Sequence, residues 1–198
     1  AILWLTVLIY WVTDRDHQLH SLQAFVLPPA AAFALLPAFS SSPHYLLGAD
    51  NSLFVAHVWI AMLAYSLFTF AALHALLMAI AERSLHHKSI IIKLPSFPPL
   101  MMMESLLFKI IGLGFALLTI TLVSGMWFSE EIFNKALSFN HKTAFSIASW
   151  FIYAGLLFGR YQYGWRGRKA IKLTLAGFVL LLLAYVGSKF VLQVILGR

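Results

Sequence analysis

Cysteine is absent from the 198 residues. Its absence excludes disulfides, thiolate metal sites and covalent attachment of a haem through C-x-x-C-H. Charge is scarce as well, with 7 Asp and Glu, 14 Lys and Arg, and 11% charged residues in all. Beside 61% hydrophobic residues, that leaves too few polar side chains to cover a water-facing surface, so the composition is that of an integral membrane protein. No motif that reads RNA or DNA occurs, and nucleic acid is not an expected partner. The net charge of +7 therefore reads as an asymmetry between membrane loops. An initiating Met is also missing. Ala1 already lies in an apolar run with no charged leader, so an incomplete N-terminus is expected rather than a signal peptide.

What is present is a charge-free run. From Asn51 to Ala81 there is no Asp, Glu, Lys or Arg, which exceeds the roughly 20 apolar residues that cross a bilayer. A helix capped by Asn51 or Ser52 is expected there. His57 falls about one and a half turns in, at shallow membrane depth. An imidazole at that depth must be hydrated, hydrogen-bonded or bound to a ligand.

Six further elements complete the expected fold. Residues 1–12 are the end of a truncated span, 22–39 form a span bent by Pro28, Pro29 and Pro37, and 105–128 form the span after the His57 helix. Residues 129–140 carry an amphipathic pattern. Phe128, Ile132, Phe133, Ala136 and Leu137 share a face and Glu130 and Glu131 stand in the first turn, which reads as a short helix lying in the outer interface. Spans over 141–160 and about 170–195 follow. The expected class is all-α: a polytopic bundle of about six transmembrane helices forming one domain over 1–198, with membrane lipid as its surroundings.

Orientation follows from Lys and Arg. The loops around Arg15, Arg83 to Lys109 and Arg160 to Lys172 hold most of the cations, and the positive-inside rule places them in the cytoplasm. His57 and His141 then share the outer side, each near the start of a helix. Two imidazoles at matched depth on different helices suit a bis-histidine site for a haem iron, and they also suit plain interfacial positions. Asn140 caps the helix that His141 and Lys142 open, and helix starts attract carboxylates such as haem propionates. Below His57, Ala61, Ala64, Tyr65, Phe68 and Ala72 form a stripe; such stripes serve helix packing more often than a cofactor wall. Tyr65 stands as its candidate cofactor contact. His74, some 25 Å farther down the helix, reads as structural. Trp150, near mid-span, is not explained by the interfacial belt.

Three segments resemble the membrane haem-handling branch of the cytochrome c assembly protein family (CcsA-like), its short inner-membrane members above all. One is His57-Val58 with Tyr65 and Phe68, closed by Ala81-Glu82-Arg83-Ser84-Leu85. Another is Gly114-Phe115-Ala116-Leu117-Leu118-Thr119, similar to the family's G-F-x-L-L-T, continuing to Ser124-Gly125-Met126-Trp127. The last is Trp150-Phe151-Ile152-Tyr153-Ala154, then Arg160, Gly164-Trp165-Arg166-Gly167-Arg168, Gly177-Phe178 and Tyr185-Val186-Gly187. His57 matches a family haem-ligand position. The family's outer-loop W-D-P-K-E-x-W corresponds here to Phe139-Asn140-His141-Lys142-Thr143-Ala144-Phe145, where Lys142 alone is retained. Phe158 and Leu196 stand where the family has further histidines.

The resemblance implies a multi-pass protein of the bacterial inner membrane that holds b-type haem non-covalently near its outer face. His57 and His141 would be iron ligands, with Lys142, Asn140 and Tyr65 around the cofactor. Carriage rather than enzymatic chemistry is expected, with a membrane-protein partner or a second copy of the chain as possible company. Two other readings remain open: a b-type electron-transfer subunit, and a haem-free scaffold that binds another membrane protein.

Overall fold

The computed structural model of the protein describes residues 7–8, 11, 51–86, 99–133 and 141–190. Within them the chain is helical: α1 Ser52–His86, α2 Leu100–Phe133, α3 His141–Tyr163 and α4 Arg168–Phe190. The helices form a closed ring in which α1 packs on α2, α2 on α3, α3 on α4 and α4 on α1. Direction alternates. His57 near the start of α1 meets Ser124 near the end of α2, while Glu82 at the end of α1 meets Arg168 at the start of α4.

Local chemistry explains the ends. Asn51 caps α1, its Oδ1 accepting the backbone N–H of Leu53 at 3.0 Å and of Phe54 at 3.4 Å. Pro99 precedes α2, and its carbonyl accepts the first helical bonds from Met102 and Met103 at 2.9 and 3.2 Å. Gly164, at φ 63°, closes α3 by donating its N–H to the Arg160 carbonyl at 3.2 Å, the left-handed cap that a side chain would strain. The link to α4 is therefore a tight turn over 164–167, shorter than the gap over 161–169 left between the expected spans.

Helices α1 and α2 contain stretches, Ser52–Arg83 and Leu100–Trp127, long and apolar enough to cross a membrane. At 34 residues, α2 is ~50 Å long, against a hydrocarbon core of ~30 Å. That length corrects one expectation. Residues 129–133 continue α2 and do not begin a separate interfacial helix, because no Gly or Pro interrupts the ladder between Trp127 and Phe133 and the helix simply runs out past the apolar layer. Residues 134–140 lie outside the described residues, as do the expected span over 22–39, nearly all of the first, and 191–198.

One layer joins all four helices. Phe68 of α1 and Tyr153 of α3 stack with ring centroids 4.1 Å apart, and both are buried. Gly114 of α2 flanks the Phe68 ring and Gly177 of α4 flanks the Tyr153 ring. A Cβ at Gly177 would lie 2.8 Å from Tyr153, and one at Gly114 3.2 Å from Phe68. The phenol donates to the Thr174 carbonyl at 3.2 Å, and Ser149 Oγ donates to the Gly177 carbonyl at 2.9 Å. In lipid there is little hydrophobic gain between helices, so close contact of this kind and buried hydrogen bonds carry association.

Trp150 belongs to the same ring. Its indole N–H donates to Thr119 Oγ1 at 2.9 Å, its ring stacks on Phe115 at 5.3 Å, and Thr119 passes its own proton to the Phe115 carbonyl. At the far end Glu104 of α2 receives Arg160 at 2.6 Å and Arg166 at 3.6 Å, and Arg160 lies over the Phe108 ring. Large apolar side chains on the outer faces, among them Leu113, Ile120, Phe151, Val179 and Leu182, are exposed. Water would penalise that surface; lipid does not.

Replacing Gly177 by Ala is expected to lower stability by about 1–3 kcal/mol, since the Tyr153 ring is held on its other side and cannot yield. Gly155→Ala, where nothing lies within 4 Å of the new Cβ, serves as the control. Thermal unfolding of the detergent-solubilised protein measures both; equal midpoints for the two variants would refute the layer's role.

Candidate functional site

His57 is half-buried on α1, and the apolar sequence around it supplies no polar side chain on its own helix face. The partner comes from α2. His57 Nδ1 and Ser124 Oγ are 2.7 Å apart, and Ser124 has its single proton 2.7 Å from the Ile120 carbonyl, with the Thr121 carbonyl at 3.3 Å. With its proton given to its own helix, the hydroxyl accepts from the imidazole, an arrangement in which Nδ1–H is the donor and the ring's lone pair falls on Nε2. Nδ1 bonded to the protein with Nε2 as electron-pair donor is the arrangement that a histidine ligand of a metal adopts.

The ring's surroundings suit that orientation. Phe54, one turn earlier, stacks against it at 6.3 Å. Gly125 lies next to the ring edge, where an added Cβ would come 3.4 Å from His57 Cε1. Lys142, exposed on the first turn of α3, is close enough for its charge to act on His57. The site therefore draws on three helices: α1 for the imidazole, α2 for its orienting hydroxyl and its space, and α3 for a cation.

His141 is the first residue of α3, so its backbone is at the same end of the bundle as His57. Its side chain and the whole of Asn140 lie outside the described residues. Tyr65, the expected cofactor contact, is on α1 as well. It lies eight residues beyond His57, ~12 Å along the axis, half-buried against the core that contains Phe68 and Tyr153. Its packing is explained by that core. His74 is fully buried, with Nε2 donating to the Met103 carbonyl at 2.9 Å and Phe70 stacked nearby, so it ties α1 to α2 as the structural reading of it held. Among the described residues no three His, Asp or Glu side chains gather to hold a metal ion by themselves.

Ser124 and Gly125 are the site residues that reading the sequence for ligands passes over. Serines and threonines in these helices routinely bond back to their own carbonyls, as Ser66, Thr69, Thr119, Thr121 and Thr174 do. Nothing local distinguishes Ser124, which also accepts from a neighbouring helix, or Thr119, which does the same for Trp150. The one local sign was Ser-Gly side by side in an apolar span.

The Cytochrome C assembly protein family matches residues 1–196. The inner membrane protein YpjD of Escherichia coli (strain K12) is 37% identical over 141 residues, which is 71% of this chain and 52% of the relative. A 28.8 kDa protein of Azospirillum brasilense is 34% identical over 166 residues, 84% of this chain and 61% of that one. The cytochrome c biogenesis protein CcsA of Gloeobacter violaceus is 34% identical over 91 residues, 46% of this chain and 27% of the relative. The chain thus spans about half to three-fifths of the length of the first two curated relatives. No solved structure matches. With its apolar helices and its inner-membrane relatives it is an inner-membrane protein, and it belongs to the cytochrome c assembly protein family.

Proposed function

We propose that the chain handles haem in cytochrome c biogenesis, holding b-type haem non-covalently at the His57 end of the bundle. The observation that carries this reading is the His57–Ser124 hydrogen bond, which leaves Nε2 as the electron-pair donor on a half-buried imidazole. The fit extends to the neighbours: Gly125 spares room at the ring edge, and Lys142 contributes the cation that a propionate would pair with. His57 would hold the iron, and His141, at the same end of the bundle, is the candidate second ligand. Haem, when bound, supplies a redox-active iron whose ligands set its potential.

The chain's own part is to bind, orient and present. Ser124 fixes which nitrogen faces away from α2, and the Phe68–Tyr153 layer holds α1 and α2 in the register that brings His57 and Ser124 together. The role proposed is carriage without a bond-making step by the protein. The names of the CcsA relatives support a place in cytochrome c biogenesis.

Two measurements test this. In protein labelled with 15N-histidine, His57 is expected to show Nδ1 protonated, and Ser124→Ala to shift the population toward the Nε2–H form; an unchanged tautomer would remove Ser124 from its role. The detergent-purified protein is expected to show a Soret band and a pyridine haemochrome of b type. His57→Ala should abolish most of it, and Ser124→Ala should weaken haem retention by about tenfold, the usual cost of losing an outer-shell partner. A changed haem spectrum in His141→Ala assigns the second ligand. Full haem content in His57→Ala overturns the assignment, and a haem-free protein purified with a stoichiometric membrane partner selects the scaffold reading instead.

A further inference from the structure

The opposite end of the bundle carries a different surface, independent of the haem reading. The last turn of α3, the 164–167 turn and the first turns of α4 bring Arg166, Arg168, Lys169 and Lys172 together. The acids of the described residues at this end, Glu82 and Glu104, are already engaged by Arg168, Arg160 and Arg166. Their pairing does not conceal the arginines, whose side chains remain 60% and 65% exposed at Arg166 and Arg168. Lys169 and Lys172 are exposed, and no carboxylate of the described residues pairs with either. No acid stands in the first turn of α4. Among the described residues positive charge is in excess at this end.

The partner's chemistry follows from what borders the charge. Tyr161 and Tyr163, 89% and 68% exposed, occupy the final turn of α3, and Trp165 lies beneath the Lys169 ammonium at 5.6 Å, packed against Gly159. Exposed aromatic rings with a polar edge at the end of a spanning helix mark the headgroup level of a bilayer. Along α4 the exposed stripe reads Lys169, Lys172, Ala176, Val179 and Leu183, cations at the end and apolar side chains directly below. A nucleic acid or an acidic peptide would meet only the upper part of that stripe. An amphiphile with an anionic head and hydrocarbon tails meets all of it.

We propose that this surface is a binding site for anionic phospholipids, the phosphate lying among Arg166, Arg168, Lys169 and Lys172 and the acyl chains running down α4. Phosphate is a multidentate acceptor for the guanidinium groups, and clustered cations at this level attract the anionic leaflet. The turn holds them in place, because the Trp165 ring is seated on Gly159 and the Trp165 backbone N–H donates to the Gly159 carbonyl at 3.1 Å.

The test uses the full chain in a neutral detergent with fluorescent phosphatidylglycerol or phosphatidylcholine as probe. The wild type is expected to bind phosphatidylglycerol at least tenfold more tightly, with the preference shrinking as salt rises. Lys169→Gln/Lys172→Gln should lose about fivefold or more of that affinity, in line with the contribution of cations near a charged membrane surface, and Lys169→Arg/Lys172→Arg should restore it. Equal binding of the two lipids, a preference indifferent to salt, or an unchanged affinity in the Gln variant would overturn the proposal. Displacement of the lipid by millimolar inorganic phosphate would also overturn it, by showing a free-anion site instead. If the Gln variant loses helix content by circular dichroism, the salt dependence and lipid preference of the wild type still decide the matter.

Discussion

The contact on which the rest of the bundle depends is the stack of two rings between two glycines. Phe68 and Tyr153 meet face to face at 4.1 Å, and each needs the absence of a side chain on the neighbouring helix, at Gly114 and Gly177. In a membrane the solvent does not drive apolar helices together, so the helices associate where they fit. A layer with one member from each helix fixes the four helices' rotation and axial register at once.

That register decides what meets at the two ends. Some eleven residues above Phe68, His57 comes level with Ser124; toward the other end, Glu82 and Glu104 come level with Arg168 and Arg160. The antiparallel ring thus separates two chemistries. One end places a directed imidazole, a glycine gap and one cation near one another; the other concentrates cations with their aromatic neighbours. Motifs that carried the family resemblance prove to be the parts of this packing: Gly114 cradles Phe68, Phe115 and Thr119 receive Trp150, and Ser124-Gly125 holds His57.

Much of the fold was legible. The charge-free run with Asn51 ahead of it announced α1 and its cap, and Pro99 and Gly164 mark boundaries through chemistry that is local. The ends of α2 and the length of the α3–α4 link were less so, since polarity suggested breaks where no residue interrupts the hydrogen-bond ladder. His57 was legible as a polar group at shallow depth. Its orienting partner was not, because the separation of 67 positions between His57 and Ser124 leaves no periodicity to read.

Composition and hydrophobic run length by themselves determined that the chain is helical and lives in a membrane, and the placement of Lys and Arg determined that its two ends differ in charge. Those properties are sums over residues or over contiguous segments, which a one-dimensional string contains. Only the tertiary structure decided that Tyr65 serves the core, that Trp150 docks on Thr119, and that His57 turns Nδ1 toward a serine of another helix. Each of these depends on the rotation of one helix about its axis relative to the next, a quantity set by steric fit between surfaces that are distant in sequence.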